Sequence, residues 1–280
     1  MSRTPFAPLF DRLVDDAAVF PPGLAPLDVA VREHLDRRTG PYAAHIGPLL
    51  IPATAAGEVA ELAARDARAV AEPLEVGLIV RPDSPLEPLL DAVELLRDEP
   101  RVLVTQAELG WSHEWRRALG TDLPLVVEVG VGSDRDAGLD DIATAVDDDH
   151  EVTAKFRTGE TPGWPWPDEH ALAAFLDAAI ARGLSFKLTG GLHHAVRGEY
   201  SHKSMHGLLN VLVATQHALD GAESDELAGI LARRDLEFLA STVSAVHADE
   251  AIRVRRAFTA YGCCGVLDPL TELEALGLLA

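Results

Sequence analysis

The chain has 280 residues, 48% of them hydrophobic and 25% charged, so it can bury a sizeable core and shows no compositional sign of disorder. Its formal net charge of −21 repels phosphodiester backbones and anionic headgroups, so nucleic acid and membrane surfaces are not expected partners. Two adjacent cysteines cannot staple so long a chain, no apolar run approaches the roughly 18 residues of a membrane span, and acids interrupt the N-terminal segment where a signal peptide would be apolar; a cytoplasmic location is expected.

In chain order, LVDDAAVFPPG (13–23) reads as a first strand, stopped rigidly by Phe20-Pro21-Pro22 and followed by a helix over 26–38. Strands are then expected at 49–54, 74–80, 101–106, 124–130, 152–159 and 184–191, separated by amphipathic helices near 55–67, 84–97, 112–119, 138–147 and 168–182. An insertion at about 192–235 carries an apolar helix predicted over 203–219. YGCCGV (261–266) is the expected last strand, before a short helix at 270–278. LEFLAS (236–241) competes for that place, or forms a hairpin with TVSAV. The repeat of about 23 to 32 residues is that of consecutive βα units. The expectation is an α/β fold, a (β/α)8 TIM-type barrel in one domain over 1–280 with a helical insertion near its C-terminal end.

Strand parity sorts the faces of the two lysine strands. Val152, Ala154 and Phe156 oppose Thr153, Lys155 and Arg157; Leu184, Phe186 and Leu188 oppose Ser185, Lys187 and Thr189. In a barrel the apolar sets meet the helices, so both lysines point inward, and Glu128 is the acid expected to face the same space. Three uses of buried lysines stay open: a salt bridge, to Glu128 for example; a cationic grip on an anionic substrate by Lys155, Arg157 and Lys187; or a Schiff-base nucleophile whose neutral amine is favoured by a second lysine nearby.

Lys155-Phe-Arg-Thr158-Gly159 and Lys187-Leu-Thr189-Gly190-Gly191-Leu, 32 residues apart, resemble the two lysine motifs of deoxyribose-phosphate aldolase and related class I aldolases. The resemblance implies a Schiff base on Lys155, a pKa-lowering role for Lys187, and Glu128 as the acid of the preceding strand. Asp15 and Asp16 look like that family's early Asp-containing strand, and Gly262-Cys-Cys-Gly265 is loosely similar to its last phosphate loop. On the strand where the family carries a proton-transfer acid, RVLVTQAELG offers Gln106 or Glu108. FRTG (156–159), GLHH (191–194), MHG (205–207) and the terminal LEALGLL (273–279) resemble more closely a group of bacterial proteins of unassigned activity.

The insertion holds His193, His194, His202 and His206. On the predicted helix His202, His206 and Asn210 fall at i, i+4 and i+8, and His193 or His194 could add a ligand past a strand end. Hydrogen-bonded histidines, substrate-binding histidines and metal ligands all fit that pattern, and no HExxH motif selects the last. The loop 158–170 brings Trp164 and Trp166 to the same barrel end, as a wall of the site or as a hydrophobic plug. Gly190-Gly191 permits close backbone approach to a phosphate or forms a turn, and Cys263-Cys264 is either nucleophilic or buried strand filling.

The leading expectation is a class I aldolase-like lyase acting on a small, anionic carbonyl metabolite. Lys155, Lys187 and Glu128 would be catalytic; Arg157, Thr189, Gly190, Gly191, His193, His194 and His206 would bind substrate, with no metal and no cofactor. A metal-dependent hydrolase or lyase using His193, His194 and His206 is the alternative, and a non-catalytic metabolite-binding barrel a third. Whether the chain forms a homo-oligomer is open.

Overall fold

The computed structural model describes residues 6–82, 84–160 and 166–279. Its strands are β1 (Val14–Asp16), β2 (Ile46–Pro52), β3 (Leu74–Ile79), β4 (Val102–Gly110), β5 (Leu125–Glu128), β6 (Val152–Arg157), β7 (Phe186–Thr189), the hairpin strands β8 (Gly198–Tyr200) and β9 (Lys203–Met205), and β10 (Phe258–Cys263). All strands but the hairpin close, with parallel neighbours, into an eight-stranded barrel of order β1-β10-β7-β6-β5-β4-β3-β2. This is the (β/α)8 barrel expected from the alternating pattern.

Helices α1 (Leu27–Arg37), α2 (Ala56–Arg65), α3 (Ala67–Ala71), α4 (Glu87–Leu96), α5 (Gly132–Asp147) and α6 (Glu169–Ala181) occupy the crossovers, and a 3-10 segment over Trp115–Thr121 stands where a helix at 112–119 was expected. The expected 55–67 helix breaks at Asp66, whose carboxylate accepts from the Arg68 N–H at 2.9 Å and so caps α3. Asp168 caps α6 in the same way, accepting from the Ala171 N–H at 2.8 Å.

Between β7 and β10 the chain leaves the simple βα rhythm, with the hairpin followed by α7 (Leu208–Leu219), α8 (Ser224–Leu231), α9 (Leu236–Ser244) and α10 (Ala248–Ala257); α11 (Leu267–Ala275) follows β10. Two expectations are corrected here. The helix predicted over 203–219 begins only at Leu208, because Lys203–Met205 pairs as a strand with Gly198–Tyr200. LEFLAS is helix α9, not a strand: Asp235 caps it by accepting from the Phe238 N–H at 3.0 Å, and Leu239 and Val243, four apart, are its buried face. The last barrel strand accordingly starts three residues earlier than expected, at Phe258 rather than Tyr261. Among the described residues no helix is long and apolar enough to cross a membrane.

The apolar sides of the lysine strands face the helices. Phe156 stacks on Phe175 of α6 with ring centroids 4.8 Å apart, Phe175 meets Phe186 edge-on at 5.8 Å, and Phe186 stacks on Phe258 at 5.2 Å. This aromatic seam ties β6, β7 and β10 to α6, each pair adding about 0.5–1.5 kcal/mol beyond its buried area. It fixes the parity of both lysine strands, so their alternate residues must line the interior.

Candidate active site in the barrel interior

In the interior, β6 and β7 lie in register, Lys155 beside Lys187 and Arg157 beside Thr189. Below them the Thr153 and Ser185 hydroxyls hydrogen-bond at 3.2 Å. Side-chain exposure rises from 1% at Lys187 through 4% at Lys155 to 24% at Arg157, so the layers climb toward the C-terminal mouth.

Five further side chains complete the layer. Lys155 Nζ donates to Glu108 Oε2 at 2.8 Å and lies 3.1 Å from Glu128 Oε2. Lys187 Nζ donates to the other oxygen of Glu108 and to Asp15. Gln106 donates to Asp15 at 3.1 Å and to Glu108 at 2.9 Å. Arg157 grips Glu128 with two bonds, at 2.8 and 3.1 Å. Space for Asp15 is made by Gly47 on β2, where a Cβ would lie 2.0 Å from the Asp15 carboxylate. Asp15 and Asp16 separate by parity: Asp16 faces α1, bonding Arg37 at 2.8 Å and His34 at 3.1 Å.

Three cations (Lys155, Arg157, Lys187) thus face three carboxylates (Asp15, Glu108, Glu128), and the charges balance. Burial raises the Glu108 carboxyl, but the two ammonium groups outweigh it and hold it down at about 2. Glu128 is likewise lowered, burial being outweighed by Lys155 and Arg157. Burial lowers the Lys187 ammonium, yet Asp15 and Glu108 overcome it and raise its pKa. Asp15 is raised, because burial exceeds the help of Lys187, which makes it the acid of the cluster that most readily holds a proton. Of the three uses open to the buried lysines the salt bridge is present, to Glu128 as expected and also to Glu108, which lies on both amines.

Glu128 sits where the sequence put it. Glu108 and Asp15 are each one of two residues that the resemblance offers for an acid, and neither is among the residues expected to be catalytic or to bind substrate. The strand expected at 101–106 stops short of Glu108, whereas a bulge between the Val76 and Gly77 pairings carries β4 on to Gly110. Alternation of Ala107 and Leu109 with Gln106 and Glu108 was the available signal.

Gly190 and Gly191, at φ 73° and 90°, form the turn that ends β7. The Trp166 ring packs so closely on Gly191 that a Cβ there would lie 3.1 Å from it, which makes Trp166 a cap on this strand end; Trp164 lies outside the described residues. Beside Trp166 an open cleft of about 330 Å³ is bordered by Glu160, Arg197 and Lys203, whose cations are paired with Glu169 and Glu160.

The histidines hold separate partners. His193 Nδ1 is 2.9 Å from Asp268, with a cysteine sulfur on each side of the ring. His194 bonds Glu272 at 2.8 Å and stacks on Tyr200. His206 is buried between Pro167 O, at 2.9 Å, and the Arg197 guanidinium, at 3.1 Å; burial pushes it down to about 4, so it is neutral. The expected His202/His206/Asn210 stripe does not form, since His202 is in the hairpin turn and His206 precedes α7. Among the described residues no group of three or more His, Cys, Asp or Glu is placed to hold a metal ion.

No family model matches the chain, and no curated protein matches it. Among solved structures it is similar to an aldolase, QR15, at 14% identity over 96% of this chain and 97% of that one, with a TM-score of 0.41. It is also similar to mandelate oxidase with 3,3-difluoro-2-hydroxy-3-phenylpropionic acid, at 13% identity over 85% and 77% of the two chains and a TM-score of 0.41. Mandelate oxidase with (S)-2-phenylpropionate gives 14% identity over 86% and 76%, with a TM-score of 0.40. The barrel assignment rests on the chain's own strand order, and an aldolase is among the solved structures it distantly resembles.

Proposed function

We propose that the protein is a class I aldolase-like lyase that acts on a small carbonyl metabolite through an imine on Lys155. The observation that carries this reading is the position of Lys155 Nζ, inside the barrel, between Glu108 at 2.8 Å and Glu128 at 3.1 Å, one register step from Lys187. An amine must lose its proton before it attacks a carbonyl; Asp15 is the acid of the cluster that most readily holds one, and Glu108 and Lys187 link it to Lys155 by hydrogen bonds. Attack on the carbonyl carbon gives a carbinolamine. Loss of water, with a proton returned to the leaving oxygen, gives the protonated imine, which draws electrons from the bond beside it. Lys187, with its charge fixed by Asp15 and Glu108, holds Glu108 in place through this proton traffic. Arg157, the most open cation of the cluster, meets an anionic substituent if Glu128 releases part of its grip.

Incubation with a panel of small aldehydes and ketones, phosphorylated ones included, followed by borohydride, should leave a reduced adduct that peptide mapping places on Lys155. Lys155→Leu should remove it, and Glu108→Gln should slow its formation by about 100-fold, the lower range for loss of a proton-transfer group. Labelling confined to exposed lysines, or equal labelling of Lys155→Leu, would replace the imine with a barrel whose buried charges serve binding or structure.

A further inference from the structure

A second cluster of reactive groups lies where β10 ends. Cys264 Sγ is 3.5 Å from His193 Nε2, and Asp268 Oδ2 is 2.9 Å from Nδ1 of the same ring. Cys264 is partly exposed and His193 retains 18% of its side-chain surface, whereas Cys263, 2% exposed, has its sulfur directed to Gly265 O at 3.4 Å and to Nδ1 at 3.6 Å. Three separate segments build this arrangement: the turn after β7 supplies the imidazole, the end of β10 the thiol, and the first turn of α11 the carboxylate. A carboxylate on Nδ1 fixes the tautomer that leaves Nε2 free to accept a proton, and Nε2 is the atom facing Cys264. The contacts with Cys263 and Cys264, helped by Asp268 and opposed by burial, raise the imidazole to about 11, so once the thiol has given up its proton the imidazolium is the stable form and stands 3.5 Å from the Cys264 sulfur as its counter-charge. The opening turn of α11 adds N–H groups without partners inside the helix, which favour negative charge nearby.

We propose that Cys264, His193 and Asp268 form a nucleophilic-thiol site at the barrel rim, separate from the lysine cluster, that accepts an activated acyl group as a thioester on Cys264. The order of nucleophile, base and orienting acid is that of acyl transfer. Cys264 gives its proton to His193 Nε2 and, as the thiolate, attacks the carbonyl carbon of an ester. The C–O bond to the leaving alcohol then breaks, and that oxygen takes the proton from His193. Water, deprotonated by the same nitrogen, releases the acid and restores the thiol. Asp268 acts through the imidazole as a positioning residue.

The test uses p-nitrophenyl acetate on the full chain under reducing conditions. A burst of one p-nitrophenolate per chain is expected, with the acetyl group mapped to Cys264 and the rate well above that of the urea-unfolded chain. Cys264→Ser should abolish the burst while circular dichroism stays unchanged, and His193→Asn should slow it by about 100-fold. Asp268→Asn should move the midpoint of the pH–rate profile downward, since the imidazolium loses its counter-charge. Acetylation at Cys263 or at lysines, or a native rate equal to the unfolded one, would overturn the proposal. An unmoved midpoint in Asp268→Asn would remove Asp268 from it.

Discussion

Neutralising Glu108 leaves two buried ammonium groups without the acid they share, a change of the kind that costs about 3 kcal/mol or more. Its pH dependence follows from the carboxyl's depression from 4.5 to about 2 in the folded state. A depressed folded pKa contributes stability that is complete above the unfolded value and disappears as pH falls toward the folded one. Wild-type protein should therefore lose stability between about pH 4.5 and pH 2 partly through Glu108, while Asp15, whose carboxyl is raised, works in the opposite sense. Glu108→Gln should start from a lower melting temperature at pH 6 and decline less steeply down to pH 3. Parallel decline of the two proteins, followed by scanning calorimetry, would show that Glu108 is not the acid that couples the lysines. The sequence shows the lysines more clearly than the acids that hold them. Lys155 and Lys187 sit in strands whose alternation is unbroken, whereas Glu108 lies beyond a bulge that no pattern of residue types announces, and choosing Asp15 over its neighbour Asp16 needs the position of α1.

Elements with a 3.6- or 2-residue apolar repeat were legible, and those whose course is set by a single polar contact were not. The 203–219 stretch shows why. Apolar residues from Leu208 onward predict the helix, but what precedes it is organised by Asn210, which no periodicity reveals. The Asn210 carbonyl oxygen accepts from the Arg197 N–H at 2.9 Å, and its amide donates to Ile230 O at 2.9 Å and Arg233 O at 2.7 Å, so one side chain on α7 pins both the approach to the hairpin and the end of α8. All of Asn210 is buried, and its loss strands partners that water cannot easily reach. Asn210→Ala should lower the free energy of unfolding by about 2–4 kcal/mol. Backbone amides at 194–205 and 228–233 should exchange faster in the variant than those of the barrel strands. Uniform acceleration across the molecule would mean that Asn210 supports the whole fold rather than the insertion. The same physics corrects LEFLAS, which has strand-like composition yet becomes α9 because Asp235 stands where a cap is needed.

At the scale of the whole molecule the barrel was legible because β-rich runs, six of them in succession about 23 to 32 residues apart, leave few other ways to bury both faces of a parallel sheet. Charge has its own whole-molecule consequence. The six ionic groups of the barrel interior sum to zero, three against three, so the formal excess of −21 lies entirely outside them. Exposed charges are screened within about 10 Å at 0.1 M salt, while the interior cluster is shielded far less. Raising salt from low to physiological strength should therefore raise the melting temperature, by relieving repulsion among surface acids without weakening the buried pairs. It should also act on substrate approach. Arg157 is already engaged by Glu128, so no free cation among the cluster's own groups offsets the surrounding negative field for an incoming anion. Borohydride trapping of a phosphorylated aldehyde should accelerate as salt is added, and trapping of its uncharged counterpart should stay nearly constant. A phosphorylated probe that is trapped more slowly at higher salt would reveal a local positive potential strong enough to reverse the field of the rest of the chain, and Arg157→Gln would then be the variant to abolish it.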